Sequence, residues 1–256
     1  MENTKPIGVF DSGLGGLTVV KEIVKIMPNE DVIYLGDTAR VPYGTRSKDI
    51  VRKFSMEDAN FLLKKKVKCI VIACNTSSAY AGNFLKKNIE IPVFDVIAPA
   101  VKDASKVSKT GNIGVIGTTG TISSGAYEIK YSQACPLFVP FIEEGEINSQ
   151  ALELVAKKYL SWFKGKIDTL ILGCTHYPII GKTIKENISR DIELINPGKS
   201  VAIEVKRYLD KHGLLNNQKR KGKIEYFVTD LTDRFIKVAE MFLGSKIRTN
   251  LKTSSL

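Results

Sequence analysis

Val71-Ile72-Ala73-Cys74-Asn75-Thr76-Ser77-Ser78 joins the end of one element to the start of the next. An apolar run over residues 69–73, rich in Val and Ile, stops abruptly at a thiol, an amide and a row of hydroxyls. A short run of this kind predicts a buried strand of a parallel sheet. The Thr and Ser residues after it offer N-caps for a helix over 78–87. Cys74 then stands at the C-terminal end of a strand and before the first turn of a helix, where open α/β sheets bind ligands. A helix N-terminus favours negative charge, so this setting predicts a thiol drawn toward its thiolate form.

A hundred residues later the arrangement returns in Thr169-Leu170-Ile171-Leu172-Gly173-Cys174-Thr175-His176. Again a buried run ends in Cys and Thr, and Pro178 suits the first position of the following helix. A lone free cysteine is more often a small core residue than a reactive one. Two in matching settings, one in each half, point to chemistry.

Composition bounds the remaining choices. The chain has 256 residues, 43% of them hydrophobic and 25% charged, which suits a globular protein with room for two modest α/β domains. The first residues lead into a strand without the apolar core of a signal peptide, and no run approaches the length of a membrane span. Four cysteines without a CxxC pair predict reduced thiols in a cytoplasmic protein, not a disulfide scaffold. The net charge of +11 invites a nucleic-acid partner. The excess is scattered, however, with short runs only at 64–66 and 219–221 and no interleaved aromatics to stack bases. No nucleic-acid partner and no membrane are expected; a basic surface can also steer an anionic small substrate.

Strand and helix patterns alternate throughout. The first half reads as strand 6–11, helix 17–27, strand 31–35, helix 47–66, the Cys74 strand and strand 91–97. The second reads as strand 112–117, strand 137–142 ending at Glu143-Glu144-Gly145, helix 148–163, the Cys174 strand, helix 179–187, strand 192–195 and helix 199–211. Strand 224–229 and helix 232–242 close the chain. Ile113-Gly114-Val115-Ile116-Gly117-Thr118 echoes Ile7-Gly8-Val9-Phe10-Asp11-Ser12, which with the cysteine spacing suggests a degenerate internal duplication. The expected architecture is α/β, with two pseudo-symmetric lobes, each a mostly parallel sheet flanked by helices, and an active site in the cleft between them. Residues 1–97 plus 208–256 form the lobe carrying Cys74, and 98–207 the lobe carrying Cys174.

The loop Asp11-Ser12-Gly13-Leu14-Gly15-Gly16 fits neither phosphate motif: a dinucleotide fingerprint needs glycine at Thr18, and a P-loop needs Gly-Lys-Ser/Thr. It is either a cradle for a carboxylate over a helix N-terminus or a tight turn. Asp11 would put a charge beside Cys74 if the first and third strands are neighbours. Two thiols facing a cleft could bind zinc, but only His176 is near as a further ligand, and no metal is expected. A redox dithiol usually sits as CxxC on one helix. An acid and a base on opposite faces of one substrate atom suit a pseudo-symmetric pair of lobes.

Four segments together resemble glutamate racemase: Val9-Phe10-Asp11-Ser12-Gly13-Leu14-Gly15-Gly16-Leu17, Leu35-Gly36-Asp37-Thr38-Ala39-Arg40-Val41-Pro42-Tyr43-Gly44, Ala73-Cys74-Asn75-Thr76 and Gly173-Cys174-Thr175-His176-Tyr177-Pro178. The resemblance implies a cofactor-independent isomerase of the aspartate/glutamate racemase superfamily, interconverting L- and D-glutamate for peptidoglycan and often paired as a homodimer. It implies Cys74 as the base for the D-enantiomer and Cys174 for the L-enantiomer, with Asp11 and His176 assisting and Glu143 or its neighbour Glu144 orienting His176. It also implies Asp11, Ser12, Tyr43, Gly44, Asn75, Thr76, Thr118, Thr121, Thr175 and His176 as substrate contacts. Aspartate racemase, with the same thiols and a shorter pocket, is the rival reading. The chain departs from the pattern between Tyr127 and Cys135, where it is shorter by about two helical turns. Cys69 and Cys135 have no matching role and are expected in the core.

Overall fold

The computed structural model describes residues 2–243 and 251–254. Met1 and those parts of the expected first lobe at 244–250 and 255–256 lie outside the described residues. The first half runs β1 (Ile7–Asp11), α1 (Leu17–Ile26), β2 (Val32–Gly36), α2 (Lys48–Lys64), β3 (Cys69–Ile72), α3 (Asn75–Asn88), β4 (Val93–Asp95) and α4 (Ile97–Val107). The second runs β5 (Ile113–Gly117), α5 (Thr119–Ser123), β6 (Tyr131–Ala134), α6 (Phe138–Glu143), α7 (Gln150–Leu160), β7 (Thr169–Gly173), α8 (Gly181–Ile188), β8 (Glu193–Ile195) and α9 (Pro197–Lys211). Strand β9 (Ile224–Val228), helix α10 (Asp233–Leu243) and strand β10 (Leu251–Thr253) follow.

Two parallel sheets result, as the buried apolar runs require. One has the order β10-β9-β2-β1-β3-β4 and the other β6-β5-β7-β8. The stretch β2-β1-β3-β4 is permuted in the same way as β6-β5-β7-β8, so β3 and β7 hold equivalent places and each leads into a cysteine. Strand β9 joins the first sheet beside β2, with Val32 opposite Ile224. Strands β1, β2, β3, β5 and β7 are buried at every residue, because helices cover both faces of each sheet. One cluster of buried side chains runs from Val9, Val19 and Val71 to Phe138, Leu170 and Leu172, tying the two sheets together. Each such side chain removed from water stabilises the fold by about 2 kcal/mol. Cys69 and Cys135 belong to this cluster as free thiols. Among the described residues, no helix is long and apolar enough to cross a membrane.

Two local expectations are corrected. Residues 137–142 do not form a strand: α6 occupies this place, burying Phe138 and Ile142 one turn apart and leaving Leu137 exposed. A six-residue apolar run carries too little period to separate the two structures. Pro140 falls in the first turn, where the missing N–H has no partner to lose. The neighbouring strand is instead β6, a half-buried edge with the polar sequence Tyr-Ser-Gln-Ala. Helix α3 starts at Asn75, not 78, because Cys74 itself is the N-cap and its sulfur accepts from the Ser77 N–H.

Candidate active site

Residues directly following β1, β3, β5 and β7 converge on a cavity of about 230 Å³. Its wall takes Ser12, Tyr43, Gly44, Cys74, Asn75 and Thr76 from the first half, and Thr118, Glu143, Cys174, Thr175 and His176 from the second. Both cysteine side chains therefore face one space. Asp11 and Thr121 are buried and are not part of the wall. Val41, Pro42, Pro136, Val139 and Pro140 add an apolar portion to which no expectation pointed.

Around Cys74, the Ser77 N–H donates to Sγ at 3.5 Å, and the thiol donates to Ser12 Oγ at 3.6 Å. Strands β1 and β3 are neighbours, Phe10 pairing with Ile72, which brings Asp11 beside this thiol. Burial, and then the Asp11 carboxyl, push the Cys74 thiol up to about 11, against the Ser77 and Ser12 hydrogen bonds. The expected pull of the helix N-terminus toward thiolate is thus overturned by desolvation. Burial also raises Asp11, against the His176 charge and the backbone N–H groups of Gly16 and Gly13. The Gly13 N–H donates to Asp11 Oδ2 at 3.1 Å, while Oδ1 has no hydrogen-bond partner among the described residues.

Cys174 has different neighbours. After β7 the chain enters a 3-10 turn, Tyr177–Ile180, and His176 stands at its head. His176 Nδ1 lies 3.8 Å from Cys174 Sγ, and Nε2 lies 3.0 Å from Oε1 of Glu143 at the end of α6. Of the two adjacent carboxylates, it is Glu143 that braces the ring. Burial alone would lower His176, but the hydrogen bonds and charges of Cys174 and Glu143 outweigh it and raise the imidazole to about 10. At neutral pH this corner contains an imidazolium.

The glycine loop proves to be a spacer between the halves. A Cβ on Gly15 would stand 2.0 Å from Thr175 Oγ1 and 2.5 Å from His176 Nδ1. Only glycine lets the loop after β1 lie against the Cys174 turn. Thr18, the second residue of α1, fastens the same contact by donating to the Thr175 carbonyl at 2.8 Å.

Hydroxyls make a second junction. Thr76 Oγ1 lies 3.0 Å from Thr118 Oγ1 and 3.1 Å from Thr121 Oγ1, and the latter two are 3.0 Å apart. Thr118 also caps α5, accepting from the Thr121 N–H at 3.3 Å. The Tyr43 hydroxyl is engaged behind the wall: it donates to Asp37, and Asp58 Oδ2 is 3.1 Å away. The one phenolic proton thus faces both acids. Burial, followed by the Asp37 charge, pushes Asp58 well above the usual carboxylate range. Arg40 donates to Asp37 at 2.6 Å and to Asp58 at 3.3 Å. On the other side Tyr127 donates to Asn75 Oδ1 at 2.6 Å. Sequence reasoning assigns no role to Asp58, Thr18 or Tyr127, because their partners across the site are remote in sequence, nor to Arg40, whose ion pair with Asp37 is not visible in the motif that contains both.

The chain matches the family model Asp/Glu/Hydantoin racemase over residues 7–205. It is 45% identical over 254 residues to the glutamate racemase of Geobacter metallireducens, covering 95% of this chain and 94% of that protein. The glutamate racemase of Francisella tularensis, solved in complex with D-glutamate, superposes with a TM-score of 0.91 at 44% identity, covering 99% of this chain and 98% of the other. That of Thermus thermophilus, solved with β-chloro-D-alanine, superposes with a TM-score of 0.93 at 41% identity, covering 100% and 99%.

Proposed function

This chain belongs to the Asp/Glu/hydantoin racemase family, and from that membership we propose that it interconverts L- and D-glutamate by passing protons between two thiols across Cα. The observation that carries the reading is the single cavity faced by Cys74 and Cys174, each delivered by the equivalent strand of its own sheet. Residues 1–97 plus 208–256 act as one lobe and 98–207 as the other, so that the substrate carbon lies between opposed sulfurs.

We assign Cys174 as the base toward L-glutamate from the charged imidazole 3.8 Å from its sulfur, while burial and Asp11 keep Cys74 a thiol. For L-glutamate, Cys174 takes the α-proton and Cys74 gives its own to the opposite face. Cys174 is left as a thiol and Cys74 as a thiolate, the form that accepts D-glutamate for the reverse reaction. Glu143 orients His176 and balances its charge, and Asp11 tunes the proton affinity of Cys74. The α-proton of an amino acid is a very weak acid, so charge must be stabilised as it forms on the α-carboxylate. Ser12, Gly44, Thr76, Thr118 and Thr175 surround that position with hydroxyl and backbone donors, and the Asn75 amide holds the carboxylate in substrate and transition state alike. Tyr43 and Thr121 support this wall. The chemistry calls for no cofactor. The four free thiols suit a reducing cytoplasm, where the product D-glutamate would enter peptidoglycan and the enzyme would pair as a homodimer.

The test is a racemisation assay on both glutamate enantiomers and on aspartate, with wild type, Cys74→Ser and Cys174→Ser. Wild type is expected to act on glutamate, and each substitution to lower kcat/KM by roughly a thousandfold, since a positioned acid or base contributes on the order of 10² to 10⁴. Near-normal turnover by either variant would refute the two-thiol scheme. Preference for aspartate would transfer the reading to the shorter substrate.

A further inference from the structure

Tyr127 makes a contact between the two halves that the proton-transfer scheme leaves unused. Tyr127 follows α5 in the second half and is buried, and its hydroxyl reaches Asn75 Oδ1 of the first half at 2.6 Å. Asn75 is the first residue of α3, adjacent to Cys74, and lines the cavity. An amide side chain has one accepting and one donating end, and its orientation is set by its partners. With Oδ1 taken up by the phenol, and no partner for Nδ2 among the described residues, the donating end is the one left for a bound anion. Burial, with the negative neighbours Asp95 and Cys174, holds the phenol protonated far into the alkaline range, so Tyr127 donates at every working pH.

We infer that Tyr127 is a positioning residue for substrate binding: it fixes the Asn75 amide with its N–H groups toward the substrate carboxylate and makes that orientation depend on contact between the halves. The inference rests on the glutamate racemase reading above. A donor presented to the carboxylate serves bound substrate and transition state alike, so its loss raises KM and leaves kcat nearly unchanged. Without the phenol proton the amide is free to turn its oxygen inward, where it would repel the carboxylate.

Tyr127→Phe keeps the ring and removes only the hydroxyl. Expected is a rise in KM of about tenfold for both enantiomers, the scale of one buried polar group left unpaired, with kcat within about twofold and the melting temperature lowered by only a few degrees. Asn75→Ala provides the decisive background: if Tyr127 acts through the amide, adding Tyr127→Phe to it changes KM by less than about twofold. D-Glutamate affinity by calorimetry gives the same comparison if turnover of the Asn75 variant is too slow to follow. An unchanged KM in Tyr127→Phe, a fall in kcat alone, or an equal effect in the Asn75→Ala background overturns the inference while the racemase reading stands. A wild type inactive on glutamate removes both.

Discussion

Cys74 follows β3 beneath the first turn of α3, with a serine hydroxyl and a buried carboxyl beside its sulfur. Cys174 follows β7, where a 3-10 turn replaces the helix and a charged imidazole braced by Glu143 takes the place of the carboxyl. The two strands hold the same position in the same strand order. Repetition of the fold therefore settles where the two sulfurs stand, and the few residues after each strand give them unlike surroundings. A two-base racemase needs this inequality, because one sulfur must arrive empty and the other loaded. The enantiomers have equal free energies, so kcat/KM must be the same in both directions whatever the resting state. The bias can appear only in kcat and KM moving together, or in the thiols themselves.

Filling the space between the halves should break the arrangement most severely. Gly15→Ala places a methyl group where Thr175 and His176 now lie, so both side chains must leave their present positions. Activity is expected to fall by about two orders of magnitude, the scale on which a small misplacement of reacting groups costs rate. Circular dichroism should show an intact fold. Near wild-type kinetics would mean that the close contact has no part in placing His176.

Glu143→Gln sharpens the comparison by weakening one corner alone. The folded protein raises His176 above its ordinary 6.5, so the stability of the charged pair is fully present below 6.5 and is lost as pH rises through about 10. With one of its two supports neutral, the imidazolium should lose its proton earlier. The alkaline decline of kcat/KM is expected to move toward neutrality by about one pH unit, as for loss of an adjacent opposite charge. An unmoved limb would separate Glu143 from the ionisation of the Cys174 corner.

Much of the site was legible before any coordinates, for a physical reason. Parallel strands covered on both faces are continuous apolar runs, and a thiol at the end of such a run is conspicuous. That places Cys74, Cys174 and the residues beside them at strand ends without knowledge of packing. Segments whose identity depends on neighbours were illegible. The apolar residues of α6 read as a strand, while the actual edge strand β6 is polar enough to read as loop. Helix α4, with Pro99 in its first turn, and the short exposed edge strand β10 gave no clear signal. Contacts such as Tyr127 with Asn75, 52 residues apart, exist only once the two sheets are brought together. The sign of the Cys74 shift was missed for a related reason: helix position can be read from sequence, but desolvation cannot.

The inequality of the two thiols is tested most directly by alkylation with a small neutral reagent such as iodoacetamide, followed at each cysteine by mass spectrometry across pH. Both residues are 6% exposed and line the same cavity, so a difference in rate reports the fraction present as thiolate rather than access. Expected at neutral pH is modification at Cys174 first, with D-glutamate protecting it, and with Cys74 becoming reactive only as the pH approaches 11. Equal rates at neutral pH, or Cys74 reacting first, would contradict the assignment of one waiting base and one waiting acid.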